Sequence, residues 1–170
     1  MYKRQDLGGP VNKAAYLFAT AGLSTGDESS MQIMAAVMAS GMVAPIALSL
    51  ATFIRKSLFT PAEQENGKSA WLLGLSFVSE GAIPFAAADP FRVIPSMMAG
   101  GAVTGAVSMA LSVGSRAPHG GVFVLFAIDP FWGYLVAIAA GVVVSTAAVL
   151  AMKQFWPNKA VEEAAQNVAA

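Results

Sequence analysis

Three uncharged apolar runs divide the chain, Met31 to Ile54, Val93 to Ser115 and Pro130 to Met152. About 20 apolar residues cross the roughly 30 Å hydrocarbon core of a bilayer as a helix, so each run predicts a membrane span. Ala14 to Gly26 is also apolar, but at about 13 residues it is too short to cross and predicts an interfacial or partly inserted segment. Asp27-Glu28-Ser29-Ser30 supplies N-cap candidates for the first span, and Pro45 inside that span predicts a kink. Arg55-Lys56 closes it. The stretch through Lys68, with Pro61 and Glu63-Gln64-Glu65-Asn66-Gly67, reads as a water-exposed loop.

A fourth apolar stretch, Gly74 to Pro90, differs from the others because it carries Glu80 at its centre, with Gly81 and Pro84 just beyond. An ionisable group at membrane depth is costly and marks a functional site by default. Non-helical backbone there is tolerated only when packed in protein or lining a cavity. The segment therefore predicts a re-entrant hairpin with the carboxylate at its tip and a break at Gly81 to Pro84. A second break is expected at Pro118 to Gly121.

Composition narrows the class. Of 170 residues, 56% are hydrophobic and only 12% charged, which places the chain in a bilayer. The formal net charge is zero and the basic residues are scattered, which excludes a nucleic-acid surface. With no cysteine, disulfides and thiolate chemistry are excluded in this chain, and no metal or cofactor is expected. The fold expected is all-α and polytopic, three full spans plus broken or re-entrant hairpins. Residues 1–30 form a polar N-terminal segment, 31–156 the membrane region and 157–170 a polar tail.

Charge also orients the spans. Arg55-Lys56, Lys68, Lys153 and Lys159 place the ends of the first and third spans on the cytoplasmic side. The second span then runs outward, with the Glu80 hairpin entering from inside and the Arg116 to His119 turn toward the outside. Asp89-Pro90-Phe91 and Asp129-Pro130-Phe131 each open a span, with Asp suited to the N-cap and Pro to the first helical position. Laid on itself at that offset, the chain pairs Gly74 with Gly114 and Ser79 with His119. A hairpin followed by a span, used twice in opposite directions, is the pattern of an inverted repeat around a midplane site.

Glu80 can accept hydrogen bonds from a polar solute or take a proton from it. The alternative is a structural acid paired with a backbone amide or with Arg92. His119, the single histidine, lies in Arg116-Ala117-Pro118-His119-Gly120-Gly121 and is either a ligand-contacting hydrogen-bonder or a loop residue satisfied by backbone; alone it makes no metal site. Gly8-Gly9-Pro10-Val11-Asn12-Lys13 places an amide and an ammonium beside a tight turn, either a surface turn or a contact for hydroxyls or phosphate; its spacing is not that of a P-loop. The small-residue rows Ala36-Ser40-Ala44, Gly101-Gly105 and Ala137-Gly141-Ser145 are spaced for close helix packing, and the Gly101-Gly105 face is a candidate for self-association.

Three of these stretches, Gly8 to Tyr16, Ser79 to Pro90 and Pro118 to Gly121, together resemble the membrane-embedded IIC component of the fructose-type sugar phosphotransferase system of bacteria, from about Asp6 to about Trp156. The resemblance implies a permease in the bacterial inner membrane that takes up sugar and presents it to a phosphorylated IIB protein. It makes Glu80, His119, Asn12 and Lys13 sugar-site candidates, with Glu80 also orienting or deprotonating the hydroxyl that IIB phosphorylates. The phosphoryl-carrying cysteine is not in this chain. Only the C-terminal part of such a domain is matched, so the partners expected are sugar, IIB, lipid, and the N-terminal half or a second copy. The competing reading is a non-transporting membrane scaffold or inactive remnant.

Overall fold

The computed structural model describes residues 10–23, 26–117 and 119–156, with the side chains of 10–13, 15, 16 and 23 outside that description. Gly8, Gly9, Pro118, Lys159 and the 157–170 tail lie outside it as well. Among the described residues six α-helices carry the fold: α1 (Pro10–Leu23), α2 (Glu28–Ile54), α3 (Pro61–Leu75), α4 (Ile83–Ala88), α5 (Pro90–Ala110) and α6 (Phe131–Phe155). Two residue pairs form the one sheet among the described residues, β1 (Gly114–Ser115) antiparallel to β2 (Ile128–Asp129). The architecture is the all-α polytopic one expected. Helices α2, α5 and α6 are long and apolar enough to cross a membrane and coincide with the three predicted spans.

Helix α2 begins where its sequence says it should, with Asp27 at the N-cap accepting from the Ser30 amide at 3.1 Å. It forms the axis of the molecule, and its middle, from Met34 to Leu48, is mostly buried. Helix α6 runs parallel to it: the Tyr134 hydroxyl donates to Met42 Sδ, the Thr146 hydroxyl to the Ala47 carbonyl, and Arg55 to Gln154. Helix α5 runs the other way, with Ser40 Oγ donating to the Gly101 carbonyl at 3.1 Å and Ser96 Oγ to Met152 Sδ at 3.4 Å. These relative directions are the ones that charge placement predicted.

In hydrocarbon, helix association relies on close van der Waals packing, which small residues permit. The three small-residue rows serve that purpose within the chain. Gly101 and Gly105 face Ser40 of α2, while Gly100 and Thr104, one residue round the helix, face Ser145 and Gly141 of α6. A Cβ on Gly141 would collide with Thr104 Oγ1, and one on Gly100 with Ser145 Oγ. The Gly101-Gly105 face lies partly against α2, with both glycines half-buried.

Two further expectations change. The supposed loop after Lys56 is helical from Pro61, because Thr60 and Glu63 form a capping box: the Thr60 hydroxyl accepts from the Glu63 amide, and the Glu63 carboxylate accepts from the Thr60 amide at 2.8 Å. Helix α1 begins at Pro10, a residue suited to the first helical position, so Asn12 and Lys13 occupy its first turn. With 14 residues it is too short to cross, and it packs on α2 with Gly22 against Ser30.

The repeated Asp-Pro-Phe openings also diverge. Asp89 sits at the N-cap of α5, but its carboxylate goes to Arg92 instead of the helix amides. Asp129 belongs to β2, and Pro130 takes the N-cap position of α6.

Candidate functional site

Between α2 and α5 the chain makes an incomplete excursion. Helix α3 climbs antiparallel to α2, from Phe59 and Glu63 beside the C-terminal end of α6 to Gly74, which abuts Pro45 and Ile46 near the middle of α2. There it stops. Val78 N–H donates to the Leu73 carbonyl at 2.8 Å and Phe77 N–H to the Gly74 carbonyl at 3.0 Å, the paired bonds of a Schellman ending. Phe77 occupies the left-handed position of that motif with φ 61. The chain then returns through a 3-10 turn, Ser79–Ala82, and α4 to Asp89.

The predicted break at Gly81 to Pro84 therefore falls earlier, at Ser76 to Val78. Gly81 belongs to the 3-10 turn that runs into α4, and Pro84 lies in the first turn of α4, where a missing N–H costs no hydrogen bond. Glu80 sits in the first turn of the returning leg, not at the tip.

A second excursion separates α5 from α6 and comes from the opposite end of the bundle. Helix α5 also closes with a Schellman pair, Val113 N–H to Ser108 and Ser112 N–H to Met109, both at 3.0 Å, with Ser112 at φ 51. The β1–β2 pairing ties the base of this hairpin, and the 3-10 segment Gly121–Ala127 forms its returning leg. Its tip reaches Gly120 and Gly121, whose φ of 122 and 58 suit glycine. Here the predicted break at Pro118 to Gly121 is seen at the residues described.

The two tips touch. A Cβ on Gly121 would collide with the Leu75 carbonyl oxygen and lie 2.9 Å from the Phe77 nitrogen, so only glycine permits this approach. The His119 ring meets the Phe77 ring edge-on, centroids 5.2 Å apart at 65°. The Phe77 ring also lies against Gly41, halfway along α2. The junction therefore sits near mid-depth of the longest span.

Glu80 is exposed, and its carboxylate has no hydrogen-bond or salt-bridge partner among the described residues. Arg92, the cation proposed as its structural partner, instead binds Asp89 at 2.7 Å in a largely buried pair. Beside Glu80, the Asn66 side-chain amide donates to the Gly81 carbonyl at 2.8 Å and joins the two legs of the hairpin. His119 is exposed too, and Phe77 is its only ring contact among the described residues. No direct contact joins Glu80 to His119. Asn12 and Lys13 are placed only as backbone in the first turn of α1.

The base of the first hairpin carries a feature the sequence reading missed. Lys153 Nζ reaches Glu63 at 2.9 Å with both side chains 3% exposed, lies 4.0 Å from the centre of the Phe59 ring, and donates to the Leu58 carbonyl. By sequence Lys153 reads as a span-end cation and Glu63 as part of a solvated loop. The Thr60-Pro61-Ala62-Glu63 capping signature, with Pro at the first helical position, was the signal for the helix; nothing local announced the partner ninety residues on.

Fold and site together define a polytopic membrane protein in which two broken hairpins, entering from opposite ends, meet beside the central helix. Its relatives have one theme. The chain is 55% identical over 152 residues to the PTS system fructose-specific EIIB'BC component of Escherichia coli (strain K12), covering 88% of this chain and 26% of that protein. It is 48% identical over 162 residues to the PTS system fructose-specific EIIC component of Haloferax volcanii, covering 95% and 42%. To the fructose permease IIC component of Bacillus amyloliquefaciens it is 44% identical over 145 residues, covering 85% and 46%. The chain is a homologue of a part of these fructose-specific components, and it spans between about a quarter and a half of their length. No family model and no solved structure matches it.

Proposed function

We propose that this chain forms part of the sugar-translocating IIC unit of a fructose-type phosphotransferase system. The observation that carries the reading is the meeting of the two hairpin tips at Phe77, His119 and Gly121 beside Gly41, with Glu80 three residues beyond Phe77 and its carboxylate unpaired among the described residues. A carboxylate and an imidazole held by broken backbone at mid-depth are suited to the hydroxyls of a sugar, because the polar groups that would be costly in lipid are given a polar ligand instead. Opposed hairpins with alternately directed spans are also the arrangement in which access can alternate between the two membrane faces. The naming of the relatives supplies the substrate class.

In this reading Glu80 accepts from sugar hydroxyls and orients or deprotonates the one that attacks the phosphoryl group carried by a phosphorylated IIB partner, and His119 contributes a second hydrogen bond. Asn12 and Lys13, at the start of α1, complete the set of sugar-contact candidates. Arg55, Lys56 and Lys68, with the Lys153 end of α6, mark the cytoplasmic side of a bacterial inner membrane. The first hairpin opens toward that side. The remaining IIC spans, or a second copy, cover the faces that this chain leaves exposed, such as Phe91 and Met98 of α5.

The test is Glu80→Gln in a complete permease containing this chain. Losing a charge-assisted hydrogen bond costs about 1.5 to 3 kcal/mol, roughly tenfold to over a hundredfold in affinity. Uptake of labelled fructose is expected to fall accordingly with membrane insertion intact. Native uptake in Glu80→Gln and in His119→Asn alike contradicts the proposal and leaves a scaffold or inactive remnant.

A further inference from the structure

Phe77 is an unusual residue for the place it occupies. The left-handed position of a Schellman ending is most often glycine, because a side chain there crowds the following carbonyl. Bulky residues at positive φ are uncommon and cluster at functional sites, where surrounding structure holds them. What holds Phe77 is specific. Its amide is fixed by Gly74, and its ring fits a notch in α2 that exists because residue 41 lacks a side chain: a Cβ on Gly41 would come within 2.6 Å of Phe77 Cε2. The same ring meets His119 edge-to-face. Among the described residues, no other ring contacts the imidazole.

We infer that Phe77 is a positioning residue for His119, with Gly41 as the notch that sets the ring. The inference rests on the sugar-site reading above and deepens it. Aromatic rings prefer edge-to-face contact with centroids about 4.5 to 7 Å apart, and the observed pair falls within that range. An imidazole on an exposed turn otherwise samples several rotamers. Packed against an immobile ring, it presents its nitrogens in one direction, and the cost of ordering it is met before sugar arrives. The same residue couples the hairpins. Because the ring belongs to the first hairpin and the imidazole to the second, His119 is aligned only while the two tips are together.

The chemistry suggests a variant that separates positioning from folding. Phe77→Gly suits the left-handed backbone better than the native residue does, so the Schellman turn persists while the ring is lost. In a complete permease carrying this chain, Phe77→Gly is expected to raise KM for fructose uptake roughly two- to tenfold, the span of a single aromatic contact. Maximal rate per inserted molecule should change little. Phe77→Tyr, which keeps the ring, is expected to restore KM, and Gly41→Ala, which shifts the ring without removing it, to raise KM as Phe77→Gly does. In a His119→Asn background Phe77→Gly should add nothing, since a residue acting through His119 is non-additive with its loss.

Native KM in Phe77→Gly, with or without a fall in maximal rate per inserted molecule, or an additive effect in the His119→Asn background, overturns the inference. Should Phe77→Gly fail to insert, the Gly41→Ala and Phe77→Tyr pair decides on the same readouts. The underlying sugar-site reading fails separately, through native KM in the His119→Asn and Glu80→Gln single variants.

Discussion

The two hairpins reach the same point from opposite ends but are anchored by different chemistry. The first has helical legs and a charged base. Glu63 on its inbound leg is buried against Lys153, and Asp89 at the end of its outbound leg is buried against Arg92. The second has little helix, and its base is held by two strand residues on each side. No ion pair joins its legs among the described residues. A buried ion pair gives modest net stability but is costly to break from one side, because the surviving charge is left without a partner. A two-residue ladder stores no such penalty. The first hairpin is therefore the fixed element and the second the compliant one, with the contact at Phe77 and Gly121 as their meeting point.

The largest expected effect tests the anchored base. Lys153→Met leaves Glu63 buried and unpaired, and stability in detergent, measured by denaturant titration, should fall by about 3 to 5 kcal/mol. Adding Glu63→Leu should recover most of that loss. A small effect of Lys153→Met alone would place the base in water and erase the contrast between the hairpins.

Next in size comes the tip of the compliant hairpin. Gly121→Ala forces a side chain onto the Leu75 carbonyl at a φ of 58, and a cost of about 1 to 3 kcal/mol follows from backbone strain. Protease susceptibility around residues 112–129 should rise while the first hairpin stays protected. Asn66→Ala removes the bond that joins the legs of the first hairpin and should cost about 1 kcal/mol, read by the same titration. Smallest is Ser115→Ala at the base of the second hairpin, where loss of the 2.9 Å bond to the Ala117 carbonyl should cost about 0.5 kcal/mol. If Ser115→Ala proved as damaging as Lys153→Met, the second base would be as rigid as the first.

Much of this architecture is legible in the chain, and the reasons are local. Uncharged run length fixed α2, α5 and α6, because the bilayer leaves few other solutions for such segments. Asp27 announced the start of α2, and Glu80 within an apolar stretch announced a hairpin. The small-residue rows announced close helix contacts but not their partners, since Gly100 and Gly101 face different helices and spacing alone does not say which face meets which.

The missing parts were non-local. Glu63 lies in a polar stretch and Lys153 ends an apolar run, so each reads locally as a solvated charge, and only the return of α6 to the start of α3 buries them. Phe77 gave no signal, since an apolar residue in an apolar stretch carries no mark of a left-handed turn. Gly81 and Pro84 are the usual helix interrupters and predict the break, but Gly81 serves close packing against Leu73 and Pro45, and Pro84 sits where a helix tolerates it. Residues chosen for packing can thus imitate residues chosen for breaking.

Contact between the opposed tips at mid-depth is the central claim, and the absence of native cysteine from the chain makes it directly measurable. Cysteines introduced together at Phe77 and His119 are treated in native membranes with a short bifunctional thiol reagent, with Ser40 and Gly101, at the α2–α5 contact, as the reference pair. Intramolecular cross-linking of both pairs with similar efficiency is the predicted result. Efficient linking of the reference pair with none between residues 77 and 119 would show that the hairpins do not meet, and the proposed site would not exist in the form described.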